Sequence, residues 1–132
     1  MKTKLFLAVF FLIVASAAMA QELNKTTLGP HGGAVKQAEG FQIEMKNSFD
    51  GFQTFLLDVA SKSVSNKNVN CKVRFIFNDK TTVDYSLKPF GEDGFACEAN
   101  MRGVMSSRIT FNLAEKSISA VFENESKLAG NK

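Results

Sequence analysis

Tryptophan is absent from this chain of 132 residues, histidine occurs once, at His31, and there are only two cysteines, two prolines and one tyrosine. Each scarcity narrows what the chain can do. A catalytic metal centre normally takes about three protein ligands, and one histidine, two cysteines and scattered carboxylates are a thin supply. Nucleophilic catalysis wants a base beside a serine or cysteine. Here the sole imidazole stands in Gly29-Pro30-His31-Gly32-Gly33, and no G-x-S-x-G elbow occurs. No glycine motif of the phosphate-cradling kind is present, and Gly91-Glu92-Asp93-Gly94 is too short for a calcium loop and reads as a solvated turn. The thirteen phenylalanines are not interleaved with a basic stripe, so they indicate an apolar core and not a base-stacking groove. The expectation is a protein that is not an enzyme and does not bind nucleic acid.

Only one apolar run is long. Lys2 and Lys4 precede an unbroken stretch from Leu5 to Val14, and Ala15-Ser16-Ala17-Ala18-Met19-Ala20 closes it with small residues. That order of charge, apolar run and A-x-A is a cleavable secretory signal over residues 1–20. The run is short for a membrane span of about 20 residues, and no cysteine follows it to carry a lipid. Residues 21–132 are then expected as a single exported domain with flexible ends, periplasmic or secreted, with no membrane span after cleavage. Removing the leader takes away two lysines and no acid, so the formal charge of +3 overstates the basicity of the working protein.

From Gly33 onward, short alternating runs are separated by turn signals. Phe41-Gln42-Ile43-Glu44-Met45 alternates as a half-buried strand does. Cys71, Val73, Phe75 and Phe77 share one parity, as do Val83, Tyr85 and Leu87, and the Asn78-Asp79-Lys80 turn between them makes a β-hairpin. Phe95, Cys97 and Ala99 form a further apolar face; so do Ile109, Phe111 and Leu113, and Ile118, Ala120 and Phe122. Pro89 to Gly94 reads as a loop. Residues 52–59 fit both the helical and the strand period; the turn-rich, β-branched surroundings favour a strand carrying Phe55, Leu57 and Val59 on one face. Seven or eight short strands predict an all-β fold, an antiparallel immunoglobulin-like β-sandwich. Cys71 and Cys97 both lie on apolar strand faces, and an even count in an exported chain predicts a disulfide between them, the alternative being a pair of free thiols that serve as metal ligands.

The run Gly29-Pro30-His31-Gly32-Gly33-Ala34-Val35, followed by Gly40-Phe41-Gln42-Ile43-Glu44, resembles the "PHGG" segment of small exported bacterial β-domain proteins. It is similar to a segment near the N-terminus of periplasmic adaptor subunits of heavy-metal efflux pumps. Phe55-Leu56-Leu57-Asp58 resembles the strand that follows in that group. The resemblance implies an exported β-sandwich linked to heavy-metal handling, with copper or zinc as the ion and an efflux-system or other envelope protein as partner. By the same resemblance, His31, Gly32, Gly33 and Glu44 are the motif positions. The hairpin and membrane-fusion regions of a full adaptor and the His-rich or Met-rich tracts of copper carriers are lacking.

Two readings of the chemistry follow. In one, His31 is a metal ligand, joined by the soft thioethers of Met101 and Met105, which would share a face if that segment were helical. In the other, the methionines fill core gaps, and His31 hydrogen-bonds a carboxylate such as Glu44 or Asp58 to pin the first turn. The alternative function is then a structural or protein-interaction domain with no metal ligand.

Overall fold

The computed structural model describes residues 28–124. The expected leader at 1–20, the lead-in from Gln21 and the tail from Ser126 lie outside the described residues. Nine antiparallel strands form two sheets, and no helix occurs among the described residues. The strands are β1 (Ala34–Ala38), β2 (Phe41–Ser48), β3 (Gly51–Leu57), β4 (Asn70–Phe77), β5 (Thr82–Ser86), β6 (Lys88–Phe90), β7 (Gly94–Glu98), β8 (Val104–Asn112) and β9 (Ser117–Glu123). One sheet runs β1-β2-β3-β7-β6 and the other β5-β4-β8-β9. The architecture is a β-sandwich.

Turn chemistry sets the registers. Ala38 pairs with Phe41, leaving Glu39 and Gly40 as a two-residue loop with φ of 48° and 81°. Positive φ at both central residues is the tight-hairpin geometry whose twist matches the flanking strands. The β4–β5 hairpin closes with Phe77 N–H donating to Thr81 O and with Asp79 accepting from the Thr81 backbone and hydroxyl. Across this hairpin Arg74 donates twice to Asp84, and that contact holds the Asp84 carboxyl below the usual carboxylate range.

The core lies between the sheets. Ile43, Phe52, Leu56 and Phe95 from one sheet meet Val73, Phe75, Ile109, Phe111, Ile118 and Phe122 from the other. Phe52 meets Phe75 edge-on at 6.1 Å, and Phe95 meets Phe111 at 5.7 Å, the arrangement aromatic quadrupoles favour. All but two of these residues sit at the parity their strands predict; on β3 it is Phe52 and Leu56 that enter the core, the parity opposite to the Phe55, Leu57 and Val59 face that the sequence favours.

Four further expectations are corrected. The strand count is nine rather than seven or eight, because Lys88–Phe90 pairs with β7 where a loop was expected. Val59 is exposed beyond the end of β3, since the chain turns at Asp58, whose carboxylate accepts from the Ala60 and Lys62 amides. Met101 stands in the β7–β8 connection and Met105 on β8, so they share no helical face. Cys71 and Cys97 are buried free thiols, not a disulfide. They project inward from opposite sheets, as expected, but inward parity sets direction and not sheet-to-sheet separation. A bridge requires sulfur atoms about 2.05 Å apart, and here the two thiols pack as small apolar groups.

Candidate functional site

The other face of the five-stranded sheet holds a second buried cluster. Glu44 pairs in register with Phe55, and Phe55 with Gly94, so the three stand in one row across β2, β3 and β7. They carry the parity opposite to Ile43, Leu56 and Phe95, and so point away from the main core. Glu44 is nonetheless fully buried and Phe55 nearly so. The segment Gly29–Gly33 covers them. Gly29 N–H donates to Gly33 O and Gly32 N–H to Gly29 O, which closes a tight turn over the row.

The Glu44 carboxylate organises that turn. Its Oε2 accepts the backbone N–H groups of His31, at 3.0 Å, and Gly33, at 2.8 Å. Its Oε1 lies 2.7 Å from His31 Nδ1. A buried carboxylate is costly unless it is paired and hydrogen-bonded, and three donors from one turn meet that need. A Cβ on Gly29 would stand 2.6 Å from both carboxylate oxygens, so only glycine lets the backbone pass here. Gly94 has the matching role under Phe55, where a Cβ would meet the ring at 2.6 Å.

Because Oε1 accepts, His31 Nδ1 carries its hydrogen, and Nε2 faces away from the sheet. Two oxygens face it, Asp93 Oδ2 at 3.3 Å and Ser63 Oγ at 3.4 Å. Asp93 comes from the β6–β7 turn and Ser63 from the long β3–β4 connection. Asn66 ties those two segments together. Its side-chain amide donates to the carbonyls of Gly91 and Gly94, and its backbone N–H to Glu92 O. Ser63 is further held by its bridge to Leu57.

Of the residues picked from the sequence, His31, Gly33 and Glu44 converge. Gly32 supplies the left-handed residue of the turn, with φ of 86°. Glu44 rather than Asp58 is the carboxylate that pins His31. Met101 is half-buried against the main core, and Met105 is half-buried on β8. The hydrogen-bonding shell of His31, made of Glu44, Asp93 and Ser63, contains neither. Asp93 and Ser63 were not singled out from the sequence. The one signal that bore on Asp93 was the acidic Glu92-Asp93 pair between two glycines.

Among the described residues, no group of three or more His, Cys, Asp or Glu side chains is arranged to hold a metal ion. The cluster can hold the first turn on the sheet and present one oriented imidazole nitrogen beside a carboxylate and a hydroxyl. Compared with family models, curated proteins and solved structures, the chain finds no match in any of the three.

Proposed function

We propose that this chain is an exported, non-enzymatic β-sandwich protein of the cell envelope that serves heavy-metal handling alongside an efflux-system or other envelope partner. One observation carries the reading. A fully buried glutamate, a ring stack and two backbone N–H groups are all spent on fixing the orientation of the only histidine, whose Nε2 is left facing an accessible carboxylate. Such a carboxylate–imidazole pair is how proteins set the tautomer and basicity of a histidine that works through its other nitrogen. The resemblance of the Gly29–Gly33 and Phe41–Glu44 segments to exported heavy-metal efflux proteins agrees with it. The test is genetic. A strain lacking the chain should grow less well than its parent in added copper or zinc salts, and the secreted wild-type chain should restore growth. Equal growth of the two strains across both metals defeats the reading.

A second reading rests on the same cluster. His31 also fastens the first turn to β2 and β3, and that role would suffice for an interaction domain with no metal ligand. It predicts that replacing His31 lowers stability and leaves metal tolerance unchanged.

A further inference from the structure

We infer that His31 Nε2 and the Asp93 carboxylate are the protein ligands of a divalent transition-metal site, with Glu44 as the positioning residue behind the imidazole. The inference rests on the metal-handling reading and gives it atoms. The distances carry the argument. On its inner side the imidazole makes a contact of 2.7 Å to Glu44, the length of a charge-assisted hydrogen bond, about 2.7–2.9 Å. On its outer side, Asp93 Oδ2 and Ser63 Oγ make longer hydrogen-bond contacts, at 3.3 and 3.4 Å. Two ligands of a tetrahedral zinc ion, with bonds of about 2.0–2.1 Å to nitrogen and about 2.0–2.2 Å to oxygen, lie about 3.3–3.5 Å apart. Both outer oxygens stand at that separation from Nε2.

Charge and access agree. Nδ1 is engaged by Glu44, and Nε2 faces a second carboxylate, Asp93, across 3.3 Å, where a cation can be shared between nitrogen and oxygen. The His31 and Asp93 side chains are 25% and 37% accessible, so an ion can reach them, whereas Glu44 is sealed beneath. Asn66 holds the Asp93 turn and the Ser63 segment in place before any ion arrives. Imidazole and carboxylate suit Zn(II) and Cu(II), whereas thioethers would have selected Cu(I). Two side-chain ligands, with Ser63 Oγ and water on the remaining positions, leave an open shell that can release its ion to a partner.

The test is calorimetric titration of the full chain with Zn(II) and Cu(II), beside Asp93→Asn, Glu44→Gln and the Met101→Leu/Met105→Leu pair. The wild type should bind one ion saturably. Asp93→Asn, a surface change, should weaken binding at least tenfold, and the methionine pair should leave it unchanged. Glu44→Gln should weaken it about 10–100-fold, as loss of an outer-shell partner does, provided circular dichroism shows it folded. His31 is the only histidine, so the imidazole ¹⁵N signals belong to it alone. Zinc should move Nε2 and leave Nδ1 bonded to hydrogen. No saturable binding, wild-type affinity in Asp93→Asn, or metallation at Nδ1 each overturns the site. A metal-sensitive deletion strain whose chain binds nothing at these residues overturns the site and spares the envelope reading. Intact binding with a metal-indifferent strain does the reverse.

Discussion

The imidazole of His31 lies flat on the ring of Phe55, with centroids 3.5 Å apart and planes 4° from parallel. The stack joins a residue from outside the sheet to the middle strand of the row Glu44–Phe55–Gly94. The Phe55 ring packs against Gly94, and the Glu44 carboxylate in the same row is fully buried. Phe55→Ala removes both the stack and a buried ring, and large-to-small changes of this kind cost about 3–5 kcal/mol. Chemical denaturation should show that loss. Amide exchange at His31 and Gly33 should accelerate more than at Ile109, which packs in the main core. Equal acceleration at both places would mean that the turn does not depend on the stack.

Gly29 is the tightest point of the turn. A methyl group there meets the Glu44 carboxylate directly, and the carboxylate cannot retreat without losing the His31 and Gly33 amides. Gly29→Ala should therefore destabilise the fold by about 1–3 kcal/mol, the usual cost of overpacking. Gly40→Ala is the control, since nothing lies within 4 Å of its added methyl group. Its cost is confined to backbone strain at φ of 81°. Urea midpoints of the two variants separate a clash with Glu44 from a general penalty on glycine replacement.

His31→Ala leaves the buried Glu44 carboxylate with its two backbone donors and no imidazole. Losing one partner of a buried polar group costs about 1–3 kcal/mol. Glu44→Gln removes the charge instead, and the double variant should cost less than the sum of the two. A coupling energy of about 0.5–3 kcal/mol is expected for groups in direct contact. Strict additivity in denaturant melts would show that the 2.7 Å contact contributes nothing in solution.

Period-two alternation was enough to place Ile43, Val73, Phe75, Ile109, Phe111 and Ile118 in the core, because parity decides which face a strand residue occupies. It could not foresee that Phe55 would be buried on the opposite face. Burial there depends on the Gly29–Gly33 turn folding over the sheet, which no strand period encodes. Glu44 was legible as a partner for His31 through its place in the motif. Asp93 was not. It reaches His31 from 62 residues away, by way of a turn that looks solvated when read locally. β6 escaped notice because three residues containing Pro89 carry too little alternation to read. The expected disulfide is absent, and neither compartment nor parity fixes the Cα separation and Cβ alignment that a bridge needs.

The unbridged thiols make alkaline pH a probe of the core. Burial, then the neighbouring Cys97, pushes the Cys71 thiol up from its ordinary value near 9. Burial, then Glu98, raises Cys97 as well. In the unfolded chain both thiols ionise near pH 9, while the folded chain keeps its protons to higher pH. Below that point the two states bind the same thiol protons, so this contribution is fully present and flat. Above it the unfolded state binds fewer, and stability falls as pH rises, by at most about 1.4 kcal/mol per pH unit for each thiol. The comparison is with the Cys71→Ala/Cys97→Ala variant under the same conditions, which isolates the thiols from every other group. The variant should start less stable, because it leaves cavities, yet lose stability less steeply between about pH 9 and 10.5. Parallel slopes in the two proteins would show that the thiols do not sit protonated in the core.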